Sequence, residues 1–90
     1  MSDQSRTLPP EALDDWAAAL RERLGLSPDD VPVAAVLDLT KVVANSVARP
    51  AAPLGAFAAG LAAGRAGTDP AEVLAALREV ADLAEGWEQQ

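Results

Sequence analysis

Residues 69–87, DPAEVLAALREVADLAEGW, carry the clearest helical signal in the chain. Asp69 followed by Pro70, with Glu72 at the third helical position, is the capping-box arrangement that starts a helix. Apolar residues then recur every three or four positions, which is the period of a helix and not the alternation of a strand. They are Val73, Leu77, Val80, Ala84 and Trp87. The segment therefore predicts an amphipathic helix that ends near Trp87.

The preceding segment, residues 53–66, predicts another helix, and Gly67 ends it. Its apolar face, which we expect to point inward, comprises Leu54, Phe57, Ala58 and Leu61. Gly60 and Gly64 lie one turn apart in the same helix. Because glycine inside a helix costs roughly 0.5 to 1 kcal/mol relative to alanine, we expect both glycines where this helix crosses a neighbour closely.

Residues 32–48 predict a helix with a valine-rich inner face. Valine has a mediocre helix propensity, so this helix depends on burial of that face. The face comprises Val36, Leu39, Val43 and Val47. Pro50 disfavours helical geometry at Arg49 and lacks an N–H, so residues 49–53 must form a turn.

Polar residues line up on one face of the same helix at spacings of three, four and four. They are Asp38, Lys41, Asn45 and Arg49. One interpretation is a solvent-exposed face with a weak Asp38–Lys41 pair. The other is a polar stripe that ends in an anion binder, because the planar guanidinium of Arg49 suits carboxylates and phosphates.

Residues 10–25 predict the first helix, with proline in its first turn and Gly25 just past its end. Residues 27–30 then form a capped turn in which Ser27 can accept from backbone N–H groups. Four amphipathic helices joined by short connections are typical of antiparallel neighbours. We therefore expect an all-α fold, a compact antiparallel four-helix bundle. Residues 9–88 would form this single domain, after a flexible N-terminal tail at residues 1–8.

Composition excludes several classes of function. The 90 residues include no Cys and no His, which excludes thiolate zinc sites, Ser-His-Asp triads and Cys-His nucleophiles. Adjacent carboxylates at Asp14/Asp15 point apart on a helix, and those at Asp29/Asp30 suit a helix start. We therefore expect no catalytic residues, no metal and no cofactor, and do not expect an enzyme.

Charge and hydropathy limit the partners. Seven basic and 14 acidic residues give a net charge of −7, which argues against a nucleic-acid partner, since phosphates are neutralised by Lys and Arg. The most apolar stretch, residues 50–64, contains 15 residues with two prolines and three glycines, short of the roughly 20 that span a bilayer. The polar residues 1–7 lack a signal-peptide core. We expect a cytoplasmic protein without membrane contact.

An up-down-up-down arrangement places one group of residues at the same end of the bundle. They are Trp16, Asn45, Arg49, Pro50, Pro53 and Trp87. Tryptophan and arginine often dominate the binding energy of interfaces, so this end is a candidate docking site. The alternative is that the two tryptophans only plug the end of a small bundle.

The run LDLTKVVANSVARPAAPL at 37–54, with FAAGLAAGR at 57–65 and LDDW at 13–16, resembles a small uncharacterised domain family of high-GC bacteria. The resemblance covers residues 13–87, and residues 47–54 are its most specific part. Members occur alone or as a C-terminal extension of molybdenum cofactor guanylyltransferases, which attach a guanine nucleotide to molybdopterin. The resemblance implies a role in molybdenum cofactor biosynthesis, with such an enzyme as partner. Asn45 stands where the family often has His, which disfavours acid–base or metal chemistry there.

Two hypotheses of function follow, and a third differs from the first only in its partner. The first is a non-catalytic accessory or interaction domain that docks onto a guanylyltransferase or a related cofactor enzyme. The second is a small binding protein for an anionic ligand, such as a pterin or nucleotide phosphate, near Arg49. The third is a structural homodimer. A nucleotidyltransferase needs a glycine-rich phosphate loop on a parallel sheet, and the sequence contains neither, so this chain alone should not transfer nucleotides.

Overall fold

The computed structural model describes residues 10–67 and 69–87, and within them it contains helices and no strand. The four α-helices are α1 (Pro10–Leu24), α2 (Val33–Ser46), α3 (Ala51–Ala66) and α4 (Pro70–Glu85). A short 3-10 helix, Pro28–Asp30, lies between α1 and α2. The prediction of an all-α chain with four helices is confirmed. The predicted tail at residues 1–8 lies outside the described residues.

The chain divides into two compact units, Met1–Val33 and Ala34–Gln90. The first unit holds α1 and the 3-10 helix, and the second holds nearly all of α2 together with α3 and α4. The grouping of residues 9–88 into a single domain stays a prediction.

The end of α1 follows the predicted glycine signal. Gly25 has a φ of +70°, in the left-handed region that favours glycine. The N–H of Leu26 donates to the carbonyl of Arg21 at 2.8 Å, which is the outer bond of a Schellman motif. The next turn is capped as well, because the Ser27 N–H donates to Oδ2 of Asp30 at 2.8 Å. In the first unit Trp16 keeps 62% of its surface exposed, whereas Ala17 is buried.

The core of the second unit is thin. Its buried cluster comprises Leu39, Val43, Ala52, Ala59, Leu77 and Ala84. Half-buried Val36 and Val47 pack against this cluster, so the predicted valine-rich face of α2 does point inward. Because half of the cluster is alanine, each contact buries little area, and the stability of the unit depends on close approach of the helices.

Among the glycines of the second unit, Gly55 lies closest to side chains of neighbouring helices. A Cβ built on Gly55 would lie 3.1 Å from Cγ1 of Val80 and 3.6 Å from Cγ2 of Val43. Early α3 thus meets late α4, as expected for antiparallel neighbours joined by a short connection. The prediction that Gly60 and Gly64 lie at a close crossing is wrong, since a Cβ at either would meet nothing within 4 Å.

The inward face predicted for α3 is also wrong. Leu54 is 73% exposed, Phe57 is 72% exposed, and the buried residues of the helix are Ala52, Ala59 and Ala63. Ala58 and Leu61 are exposed too. The physical reason is that helix separation is set by the side chains at the contact, so the side of α3 with the smallest residues allows the tightest packing. The larger residues then face outward.

The start of α4 is at the predicted position, but its hydrogen bonds differ from the prediction. Asp69 is extended, with φ −63° and ψ 139°, and Pro70 is the first helical residue. The side chain of Asp69 makes no capping hydrogen bond. Instead, the N–H groups of Glu72 and Val73 donate to the backbone carbonyl of Asp69 at 2.8 and 3.1 Å.

Candidate functional site

The turn between α2 and α3 is held by backbone hydrogen bonds on both sides. The Val47 N–H donates to the carbonyl of Val43 at 2.8 Å, and the Ala52 N–H donates to the carbonyl of Arg49 at 3.1 Å. Pro50 already has helical angles, φ −66° and ψ −17°. As a result α3 begins at Ala51, two residues before the predicted start at residue 53. The predicted turn at residues 49–53 is confirmed at Arg49 and Pro50 and is wrong at residues 51–53, which form the first turn of α3.

The polar side chains at this end face solvent. Asn45 lies in the last turn of α2, and Arg49 and Pro50 form the turn. Pro53 is the third residue of α3, where a backbone N–H would have no partner within the helix. All four residues are exposed, as are Asp38 and Lys41 further up α2. The exposure of this stripe fits the interpretation of a solvent face on α2.

An apolar pocket of about 170 Å³ opens at the same end of the second unit. It is lined by Val43, Val47, Gly55, Val80, Leu83, Ala84 and Trp87. Every lining residue is apolar, and Val47 stands two residues before Arg49 in the chain. The indole of Trp87, which follows α4, thus shares a pocket with the C-terminal end of α2.

The pocket depends on Gly55. Because Gly55 has no side chain, α3 adds little bulk between Val43 and Val80, and the space at the helix ends stays open. Leu83 is 59% exposed and Trp87 is 47% exposed at this pocket. Sequence reasoning missed Gly55 and Leu83. Gly55 is a third glycine in an alanine-rich helix, and no local pattern distinguishes it from Gly60 and Gly64.

Five of the six predicted site residues belong to the second unit. There Trp87 lines the same pocket as Val47, which follows the end of α2. Trp16 belongs to the first unit and lies on α1. The grouping of Trp16 with the other five stays a prediction.

Comparison with protein-family models identifies a family for this chain. The model of a domain of unknown function, DUF6457, matches residues 8–90. The chain belongs to the DUF6457 family. This match confirms the predicted membership of an uncharacterised small domain family, and it covers all six predicted site residues. No curated protein and no solved structure matches the chain.

A second groove of the DUF6457 domain lies between α2 and α4 and has a volume of about 280 Å³. Its lining is apolar except for two charged residues, the acidic Asp38 and the basic Arg78. The groove is lined by the earlier parts of α2 and α4. The pocket is lined by the C-terminal ends of the same two helices. The two helices therefore run parallel.

Within residues 10–67 and 69–87, no group of three or more Asp or Glu side chains is placed to hold a metal ion. Across the same ranges, no helix has both the length and the apolar character needed to cross a bilayer.

Proposed function

We propose that this DUF6457 domain is a non-catalytic interaction domain that docks onto a protein partner through the end of its second unit. The docking surface is the apolar pocket at Trp87 together with the adjoining Arg49 turn. The observation that carries the proposal is the pocket itself, an open apolar cavity of about 170 Å³.

The pocket suits an apolar anchor side chain from the partner. Exposed apolar surface gains roughly 25 cal/mol for each Å² removed from water, and Leu83 and Trp87 both have surface to lose. Tryptophan in a pocket that becomes dehydrated is the residue type that most often dominates interface energy. An anchor of leucine or phenylalanine size would cover both residues and fill the space beside Gly55.

The Arg49 turn would fix the orientation of the bound partner. Its guanidinium is exposed on a turn fixed by backbone hydrogen bonds, so little backbone entropy is lost when it binds. In a chain with a net charge of −7, an exposed arginine beside an apolar pocket favours a partner that presents a carboxylate next to its apolar anchor.

The partner that we propose is a molybdenum cofactor guanylyltransferase. The proposal is supported by the resemblance of residues 37–54 to domains that extend such enzymes at their C-terminus. A domain that is fused to an enzyme in some proteins and separate in others is expected to contact that enzyme. In this scheme the enzyme transfers the nucleotide, and the DUF6457 domain contributes a cytoplasmic docking surface.

Isothermal titration calorimetry of the full chain with a purified guanylyltransferase tests the proposal. We expect Arg49→Ala to weaken binding at least tenfold with an unchanged melting temperature, because Arg49 is exposed. Arg65→Ala is the matched control, since Arg65 is also an exposed arginine but lies in the last turn of α3. Leu83→Glu should weaken binding as well, whereas Leu37→Glu, an exposed leucine outside the pocket, should not.

Three results would contradict parts of the proposal. No heat of binding with the wild-type chain would reject the guanylyltransferase as partner. Binding that is equally insensitive to Arg49→Ala and Leu83→Glu would reject the surface. Binding of guanosine triphosphate to the chain alone, lost in Arg49→Ala, would instead support a binding protein for an anionic ligand.

A further inference from the structure

The exposed face of α3 carries a stripe of large apolar side chains. Leu54, Phe57 and Leu61 follow one another at spacings of three and four, so they form a continuous stripe along the helix. All three are exposed, Leu54 and Phe57 by more than two thirds. The stripe lies on the side of α3 opposite the buried Ala52, Ala59 and Ala63, and it is therefore distinct from the pocket at Trp87.

The charge distribution points to what can cover this stripe. α3 contains a single charged residue, Arg65, among its 16 residues. By contrast, α1 and α4 each carry four carboxylates. Two copies of a chain with a net charge of −7 repel each other wherever carboxylates meet. Their contact along α3 avoids that repulsion, because neither copy brings an acidic side chain to it.

We propose that two copies of this chain pair through α3 in antiparallel orientation. A twofold axis at the level of residue 59 places Leu54 opposite Gly64 of the second copy and Phe57 opposite its Leu61. A Cβ added to Gly64 would meet nothing within 4 Å beyond its own stretch of helix, so Gly64 leaves a notch that Leu54 can fill. Large and small residues of the same helix thus complement each other, as a symmetric twofold interface requires.

The size of the stripe sets the strength of the dimer. Standard interfaces bury about 800 Å² on each partner, and one face of a helix about 24 Å long offers less than that. The dimer is therefore weak and depends on concentration. Antiparallel helix dipoles favour it over a parallel pair, in which the two Arg65 side chains would also meet.

Sedimentation velocity of the full chain, from about 10 µM to about 1 mM, tests the proposal. We expect the mass to rise with concentration from 9.2 kDa toward twice that value. The test variants are a matched pair, Leu61→Glu and Leu37→Glu, because the two leucines are 45% and 47% exposed on different helices. Leu61→Glu should raise the dissociation constant at least tenfold, and Leu37→Glu should leave it unchanged.

Gly64→Leu provides a second variant that keeps the stripe apolar. It fills the notch opposite Leu54 and should also weaken the dimer, with unchanged helicity by circular dichroism. A chain that stays monomeric up to 1 mM would overturn the proposal. So would a dimer that tolerates Leu61→Glu, or one that only Leu83→Glu disrupts. Because Leu61 lies outside the pocket, binding of the guanylyltransferase should survive Leu61→Glu, which keeps this test separate from that of the proposed function.

Discussion

Gly55→Ala is the substitution that tests the packing of the second unit most directly, with Gly60→Ala as its matched control. Both changes add one methyl group to α3 five residues apart. In a helix the exchange by itself stabilises the protein by roughly 0.5 to 1 kcal/mol, because alanine loses less backbone entropy than glycine. At Gly60 the added Cβ meets nothing within 4 Å, so that gain should appear in full.

At Gly55 the gain is opposed by a contact. The added Cβ would lie 3.1 Å from Cγ1 of Val80, closer than carbon atoms at their optimal separation of about 3.5 to 4.0 Å. Valine in a helix is confined to one χ1 rotamer, so Val80 cannot turn away and α3 must move from α4. Overpacking of this kind costs about 1 to 3 kcal/mol. The expected net effect is a loss of about 1 kcal/mol.

Thermal unfolding followed by circular dichroism measures both variants. In a domain of this size, 1 kcal/mol shifts the melting temperature by about 4 to 8 °C. Gly60→Ala should therefore melt above the wild type by about 2 to 8 °C, and Gly55→Ala below it by about 4 to 8 °C. Equal stabilisation by the two substitutions would show that α3 and α4 do not meet at Gly55. Destabilisation by Gly60→Ala would show that α3 has a close neighbour on its outer side.

Two further predictions concern the caps of the first unit. Gly25→Ala should destabilise the chain by about 1 kcal/mol, because an L-residue at a φ of +70° is strained, and chemical denaturation would reveal the loss as a lower midpoint. Asp30→Ala removes the acceptor of the Ser27 N–H bond and should cost about 0.5 to 1 kcal/mol, measured in the same way, whereas Asp29→Ala, the matched control at the neighbouring exposed position, should change the midpoint less.

Much of the fold was predictable because it rests on local signals. Gly25 and Asp69 mark helix ends through backbone chemistry that acts within a few residues, and the structure places both ends there. The inner face of α2 was predictable as well, since Asp38, Lys41 and Asn45 mark its solvent side. Periodicity identifies a buried face wherever the opposite face is polar.

The orientation of α3 was not predictable, because this helix has no polar face opposite its apolar one. Arg65 is the one charged residue of the helix, so no polar face marks the solvent side, and two apolar faces compete for the core. The choice between them is made by how closely α3 can approach α4, which is a property of two helices and not of one. From the sequence we assign the face of Leu54 and Phe57 to the core, and larger residues do gain more from burial. The structure buries alanine instead.

The burial of the alanine side of α3 links the two proposed surfaces. It brings Gly55 against Val80, which leaves the pocket at Trp87 open, and it turns Phe57 and Leu61 outward. Gly55→Ala tests the two surfaces independently. Its methyl group enters the pocket on one side of α3, and the residues of the stripe on the other side stay the same. Below its melting temperature this variant should bind the guanylyltransferase more weakly in calorimetry, while its dimer dissociation constant in sedimentation stays that of the wild type. Loss of both would mean that the displacement of α3 from α4 also disturbs the outer stripe, and retention of partner binding would mean that no anchor side chain enters the pocket.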